Sequence, residues 1–415
     1  MAVMEICCQN AVAALAEYDY ELHAFTNILD VVDMNHVPIA ARAVDGTITK
    51  GRLTSWWQDR AIPVTRDGYD QLRGDLLGTD RMKLLDDSYG LSLSDQFWMR
   101  PADSDVAWEE VNFFDNDFDG ILGFLTLGSI GSFSERMAGG ALSGPNSSLG
   151  GNLRKAWERR EDGSTVLVKS GSAPMLQESV NELIASLLYD RLLPPDDYVD
   201  YSVEFRDGRA LSVCDNMVDR NECLIPAWNI INAYKIPGSI SPWQHVINCY
   251  ERLGISDAER QLSKMLVCDY IIANADRHWS NFGLIFDAAT MEAKRVAPIF
   301  DSGTSLWCWA SGLESDFDYW YRPLPMISGR ARRIYPEDQL ELVRDFSWFD
   351  PAGLDGFTDE VIGALEDLTS LPDARILSIC KRVAGNIDLV ISRARRATVS
   401  NGVDAGVGTR RPIYP

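Results

Sequence analysis

The stretch Tyr270–Leu306, YIIANADRHWSNFGLIFDAATMEAKRVAPIFDSGTSL, constrains this chain more than any other. A helical apolar run ends near Asn274. Asp276, His278 and Asn281 follow in a polar loop. A strand is then expected over 282–286, a turn over 287–290 and a second strand over 294–300, with Asp301 directly after it. A hairpin returns its two ends to one place. Asn281 precedes the first strand and Asp301 follows the second, so an amide and a carboxylate are carried together beside Asp276. Hard oxygen donors of this kind suit Mg²⁺, with phosphate and water completing the shell. A further carboxylate nearby can accept a hydroxyl proton or orient the nucleophile.

The spacing sharpens this reading. Asp276 and Asn281 are separated as in the D-x-x-x-x-N interval of protein-kinase catalytic loops, and Asp301 has Gly303 two residues on, as in D-F-G. There are departures: the H-R-D order is missing, and Ser302 stands in place of the Phe. The order Asp276-Arg277-His278 is that of phosphatidylinositol-kinase-like loops. An Asp or Asn alone at a helix end is usually a cap or turn residue; only the joint pattern on a hairpin carries chemistry. Such a site needs an upstream strand lysine for the α- and β-phosphates, held by a helix glutamate. Lys169 ends the strand expected over 166–169. The helix expected over 177–193 offers Glu178 and Glu182, one turn apart on one face. Glu182 is the better partner, being further inside the helix, and Glu178 stays open.

Around this core the chain changes character several times. The first 120 residues hold 22 Asp/Glu and 9 Lys/Arg, and so carry −13 of the net −22. They read as an N-terminal module, 1–127, at least partly separate, whose acidity is a solvated surface or a face for a basic partner. Residues 128–151 contain seven Gly and six Ser, a linker or loop composition. With the following segments, LRKAWERR and STVLVK turning at Asp162-Gly163, and YVDYSVEF and RALSVC turning at Asp207-Gly208, they make up a β-rich lobe over 128–227. Residues 228–397 read as a helical lobe containing the catalytic loop. Within it, Ser256-x-x-Glu259 is a capping box for a helix running to about Ala273. Late helices are expected at 336–347, 357–368 and 373–397, and a disordered tail at 398–415. The order of glycine-rich loop, hairpin, helix, hairpin and helices predicts an α+β, bilobal protein-kinase-like fold with an extra N-terminal module.

The segments Ser148-Leu-Gly-Gly-Asn-Leu-Arg-Lys155, VLVKSG, NADRHWSN and PIFDSGTSLW together resemble the HipA-like family of bacterial serine/threonine kinases over roughly 145–395. The catalytic-loop pattern N-x-D-x-H-x-x-N matches Asn274, Asp276, His278 and Asn281, and the F/Y-D element matches Phe300-Asp301. The N-terminal region is only loosely similar to the family's small N-terminal subdomain. The resemblance implies that Ser148, Gly150, Gly151 and Lys155 cover the phosphates with Lys169, that Ser148 can be autophosphorylated, and that His278 orders the loop beside Asp276. It implies ATP and Mg²⁺ as cofactors, with Asn281 and Asp301 on the metal and Asp276, Lys169 and Glu182 in catalysis. It also implies a protein serine or threonine as acceptor and, for toxin-type members, an antitoxin-type regulator.

Composition excludes other classes. A net charge of −22 makes a poor general binder of nucleic acid or of an anionic membrane surface, and no apolar run reaches the length of a membrane span. A basic cluster, Arg393, Arg395 and Arg396, falls at the end of the last long helix rather than in a helix-turn-helix. No signal-peptide pattern opens the chain, and the eight cysteines and four histidines lack metal spacing, as expected of a cytoplasmic protein with reduced thiols. Two rivals remain: a lipid or small-molecule kinase, suggested by Asp-Arg-His but disfavoured by the charge, and a nucleotide-binding regulator without turnover. Intact Lys169, Asp276, Asn281 and Asp301 weigh against the second.

Overall fold

The computed structural model describes residues 1–75, 80–118, 120–127, 144–172, 176–310 and 336–404. Most of the glycine-rich stretch (128–143) and the end of the tail (405–415) lie outside the described residues. Three antiparallel sheets organise the rest. The first joins β1 (Ala2–Cys8), β2 (Ala11–Asp19), β3 (Ala24–Val31) and β4 (Phe97–Pro101) in the order β3-β2-β1-β4. The helix Lys50–Arg60 lays Leu53, Trp56 and Trp57 onto it. Buried Trp57 donates its indole N–H to Tyr18 and Asp86 at 3.1 and 3.0 Å, which satisfies the polar edge of a large apolar side chain.

The second sheet joins β5 (Lys155–Arg159), β6 (Thr165–Ser170), β7 (Tyr201–Arg206) and β8 (Arg209–Asp215) in the order β5-β6-β8-β7. Both of its hairpins turn at the expected Asp-Gly pairs. At the second, Asp207 and Gly208 have φ of 50° and 73°, the left-handed pair that a tight hairpin turn requires. The helix Glu178–Leu192 follows β6 and drives Val180, Ile184 and Leu188 into the main core. The third sheet, β9 (Glu222–Pro226), β10 (Gly283–Asp287) and β11 (Ala293–Val296), has the order β11-β10-β9. Helices Ala227–Ala233, Pro242–Arg252, Ala258–Ile271, Phe357–Leu368 and Asp373–Asp404 build the second lobe. The architecture is the expected α+β, kinase-like order of a β-rich lobe with one helix followed by a helical lobe.

Four local expectations need correction. Strand β11 stops at Val296 rather than at Phe300, because Pro298 has no N–H to give. The chain leaves the hairpin there, and Ile299 pairs with the 197–199 segment instead (Ile299 N to Asp197 O 2.8 Å, Val199 N to Ile299 O 2.9 Å). The helix Ala258–Ile271 begins after Asp257 with no side-chain cap, so the Ser256–Glu259 capping box does not form. The helix at Pro336 ends at Leu340, and Leu342 and Val343 close i→i+3 turns in place of a continued helix. The last helix runs to Asp404, past the expected end at 397.

The N-terminal residues share one hydrophobic core with the helical lobe: Met4, Ile6, Tyr18 and Trp57 belong to the same cluster as Ile225, Val267 and Leu284. Hydrogen bonds tie this region to the back of the third sheet, from Leu224 N to Ser94 O (2.9 Å) and from Gln96 Nε2 to Glu222 O (2.8 Å). Among the described residues no helix is long and apolar enough to cross a membrane.

Candidate active site

Strand register sets up the centre of the site. Lys155 on β5 lies directly opposite Lys169 on β6. Both are buried, at 8% and 3% exposure, and two like charges so placed repel. The carboxylates brought to them supply the compensation. Lys169 Nζ is 2.9 Å from Glu182 Oε1 and 2.9 Å from Asp301 Oδ1, and it donates to the Tyr201 hydroxyl at 3.0 Å. Burial alone would drive the Lys169 ammonium toward neutrality, but Asp301 and Glu182 hold its pKa well above the ordinary value. For Asp301, burial works upward, and Lys169 and Lys155 override it and keep the carboxyl well below the usual carboxylate range. Lys155 has weaker compensation: burial, with Lys169 and Arg66 nearby, brings its pKa down to about 8 although Asp301 opposes the shift.

The two glutamates on the helix Glu178–Leu192 separate into different roles. Glu182 takes Lys169 with one oxygen and the Ser302 backbone N–H (2.9 Å) with the other, so it links β6 to the residue after Asp301. Glu178 is occupied by Ser172, through its hydroxyl and its backbone N–H. Glu182 is therefore the partner of Lys169. Asp301 itself has φ of 59°, a left-handed conformation uncommon for an aspartate and of the kind held in place at functional sites.

The catalytic loop is ordered from beneath. The Asn274 side chain accepts the Asp276 N–H (3.0 Å) and donates to Asp269 (2.9 Å). Arg277 is 2% exposed. It makes a bidentate pair with Asp269 at 2.9 and 3.0 Å, and donates to the Asn281 carbonyl (2.7 Å), the Phe300 carbonyl and the Ser302 hydroxyl (2.8 Å). One guanidinium thus joins the loop to both sides of Asp301, and although burial opposes it, Asp269 lifts its pKa above the ordinary arginine value. His278 accepts the Ser280 N–H at Nδ1 (3.2 Å) and donates its own backbone N–H to Asp276 O (2.8 Å), a loop-ordering position. Among the described residues no group donates a hydrogen bond to the Asp276 carboxylate. Burial raises the Asp276 pKa, His278 opposes this and Asp301 adds to it.

A cleft of about 690 Å³ collects Gly150, Gly151, Lys155, Lys169, Asp276, His278, Asn281 and Asp301 on its walls. That volume is in the range of nucleotide-sized sites. Asn281 Nδ2 donates to the Asp276 carbonyl (3.0 Å), which turns its amide so that the carbonyl oxygen is the end left to act as a ligand. With the Asp301 carboxylate this is a hard-oxygen donor pair of the type that holds Mg²⁺ jointly with phosphate and water. Among the described residues no three His, Cys, Asp or Glu side chains gather as an all-protein metal cage. Gly151 has φ 90°, a conformation that favours glycine, and a Cβ there would also displace the end of the Lys155 side chain, 2.3 Å from Nζ. Ser148, expected among the phosphate-covering residues, does not line the cleft: it is half-buried with its hydroxyl donating to Leu91 O at 2.6 Å, whereas Ser147 is fully buried and donates to Gly144 O at 2.8 Å.

The structure also adds three residues that the sequence analysis gave no role. Tyr201 closes the face of Lys169, its ring centroid 4.8 Å from Nζ. Arg277 sits inside the recognised Asp276-Arg277-His278 order, which was the available signal. Arg66, from the N-terminal region, is 3% exposed and donates to the carbonyls of Leu149, Gly150 (3.0 Å) and Gly151 (3.1 Å). Beside it, Asp67 N reaches Asn152 O (2.8 Å) and Asp67 pairs with Arg154 (3.1 Å). The N-terminal region thus clamps the glycine loop over the cleft.

No protein-family model and no curated protein matches the chain. Solved structures do resemble it. One is the Helicobacter pylori proinflammatory kinase CtkA, at 14% identity and a TM-score of 0.43, covering 59% of this chain and 95% of that chain. Another is HipA of the Shewanella oneidensis MR-1 toxin–antitoxin system, solved with HipB and its operator DNA, at 12% identity and a TM-score of 0.48, covering 95% of this chain and 91% of that chain. The second carries the family name to which the sequence motifs point. The expectation that this chain makes no direct nucleic-acid contact is not borne out by these comparisons.

Proposed function

We propose that this chain is an ATP- and Mg²⁺-dependent phosphotransferase that phosphorylates a protein serine or threonine. The observation that carries the reading is the buried Lys169–Glu182–Asp301 cluster in one cleft with Asp276 and Asn281. Lys169 and Lys155 bind the phosphates beneath the glycine loop. Asn281 and Asp301 would hold Mg²⁺, which when bound offsets phosphate charge. Lys169 has two carboxylate neighbours in this structure, so Glu182 still fixes it when Asp301 serves the metal. Asp276, kept clear of hydrogen-bond donors, orients the acceptor hydroxyl and receives its proton as the bond from acceptor oxygen to γ-phosphorus forms. The bond from that phosphorus to the β,γ-bridging oxygen breaks, and ADP leaves with the electron pair. The protein acceptor, and a regulator of antitoxin type, are what the family resemblance supports.

The test is incubation with γ-labelled ATP and Mg²⁺, alone and with lysate protein, for the wild type and Asp276→Ala. Transfer by the variant should fall by about 10²–10⁴-fold. Its nucleotide affinity should stay within about twofold, since the group acts in the transition state rather than in binding. Transfer near the wild-type rate would remove Asp276 from the mechanism, and no transfer by the wild type to any acceptor would remove the reading.

A further inference from the structure

A second hollow, of about 600 Å³, opens beside the catalytic loop, and His278 lines both it and the nucleotide-sized cleft. Val44 and Arg52 from the N-terminal region face Tyr234, Lys235 and Ile236 across it. Its character is unlike the rest of the molecule. The chain has 61 acidic residues and a net charge of −22, yet no Asp or Glu lines this hollow. Arg52 donates to the Arg42 carbonyl at 2.7 Å, and neither Arg52 nor Lys235 has an ion-pair partner among the described residues. Asp45, next to Val44 in the chain but not on the wall, is held charged by the Thr47 N–H and hydroxyl at 3.0 and 2.7 Å and interacts with Arg52 only at longer range, without a direct ion pair. Arg277 also lines the hollow but is paired with Asp269, and Arg252 stacks on Tyr234, 4.8 Å from its ring, without itself lining the hollow.

We infer that this hollow receives the protein acceptor, and that it takes a segment in which apolar side chains are flanked by Asp or Glu. The inference rests on the phosphotransferase reading and names its substrate class. An apolar floor suits side chains inserted from an extended segment, and the basic rim gives the orientation. In so acidic a chain, a local rim of cations is what lets an acidic segment approach at all. A nucleic acid would present phosphates to the cations but nothing to the exposed aliphatic side chains of Val44 and Ile236. The shared His278 wall puts a hydroxyl on the bound segment next to the catalytic loop.

The experiment uses the full chain and two labelled peptides, each with one serine and a Leu-Phe pair, one flanked by three glutamates and the other by three lysines. Binding is followed by fluorescence anisotropy, and transfer is measured in parallel with ATP and Mg²⁺. The acidic peptide should bind and be phosphorylated in preference to the basic one. Lys235→Glu, and Arg52→Glu combined with it, should weaken acidic-peptide binding and raise its KM by on the order of tenfold, with nucleotide affinity unchanged. Lys235 is exposed, so its single variant tests the rim even where the Arg52 change disturbs folding. Equal use of the two peptides, unchanged binding in the variants, or displacement of the peptide by an oligodeoxythymidine at lower concentration would each overturn the inference while leaving the phosphotransferase reading intact. Binding of the acidic peptide without transfer would overturn the hollow's role as acceptor site if the same preparation labels another protein, and would remove the phosphotransferase reading if it labels none.

Discussion

Two buried arginines hold the two walls of the cleft, and they do it in opposite ways. Arg277 beneath the catalytic loop has a carboxylate, Asp269, in bidentate contact, and its pKa rises. Arg66 above the glycine loop has only backbone carbonyls, its Nη1 has no hydrogen-bond partner among the described residues, and burial lowers its pKa to about 10. A buried cation paired with an anion and fully hydrogen-bonded locks its surroundings. A buried cation held by neutral dipoles alone is close to break-even, because its desolvation opposes its hydrogen bonds. At its arginine the lower wall therefore rests on a compensated ion pair and the glycine wall on neutral dipoles, so the glycine wall is the less firmly held of the two.

This contrast is broken or sharpened first by removing each arginine. Arg277→Met leaves the Asp269 charge buried without its partner and should destabilise the protein by about 3–5 kcal/mol in urea unfolding. Arg66→Met removes hydrogen bonds together with an ill-compensated charge and should change stability by only about 1 kcal/mol. It should raise the KM for ATP by about fivefold, the equivalent of about 1 kcal/mol lost from holding the loop. Equal destabilisation by the two variants would show that both walls are locked alike.

Much of the lower wall was legible in the sequence. The Asp276–Asn281 interval, the hairpin and Asp301 are local in the chain, so spacing could place them. The Asp-Gly turns were legible for the same reason. The preference for Glu182 over Glu178, from its place further inside the helix, holds, and the structure adds the reason Glu178 is excluded: Ser172 occupies it. Arg66 left no trace. Its partners are backbone carbonyls more than eighty residues away, and a carbonyl has the same identity whatever the side chain. Strand β11 was expected too long because its apolar pattern outweighed the missing donor of Pro298.

The lysine pair gives a smaller, pH-dependent effect. Lys155 falls from its ordinary 10.5 to about 8 through burial, while Lys169 is held charged by Asp301 and Glu182. Between those two values the unfolded chain binds the Lys155 proton more tightly than the folded one, so this group makes stability rise with pH from about 8 to 10.5. Phosphate needs the charged form. Nucleotide binding should therefore take up a proton above pH 8 and weaken as pH rises through it, as read by calorimetry in buffers of different ionisation enthalpy. Lys155→Met should abolish the uptake. Uptake that persists in the variant would assign the proton to another group.

The smallest effect concerns the anchor of the less firmly held wall. Ser148 holds the start of the glycine loop through its hydroxyl to Leu91 O at 2.6 Å and Pro145 O at 3.2 Å, half-buried, whereas its neighbour Ser147 has no exposed surface. If the loop lets go, Ser148 is the hydroxyl released first, and it stands seven residues before Lys155 as in the family that the chain resembles. We expect autophosphorylation at Ser148 and not at Ser147. A phosphate of about −1.5 to −2 charge cannot return against the Leu91 carbonyl, so it would keep the loop out and lower activity. Ser148→Ala removes one side-chain anchor and should cost about 1 kcal/mol or less in stability, with a small rise in the KM for ATP. Phosphopeptide mapping after incubation with ATP and Mg²⁺ decides the matter. Phosphate on Ser147 instead, or none between Gly144 and Lys155 in a preparation active on another substrate, would mean that the glycine wall does not open far enough to present this residue. The contrast with the catalytic wall would then be one of pairing alone and not of motion.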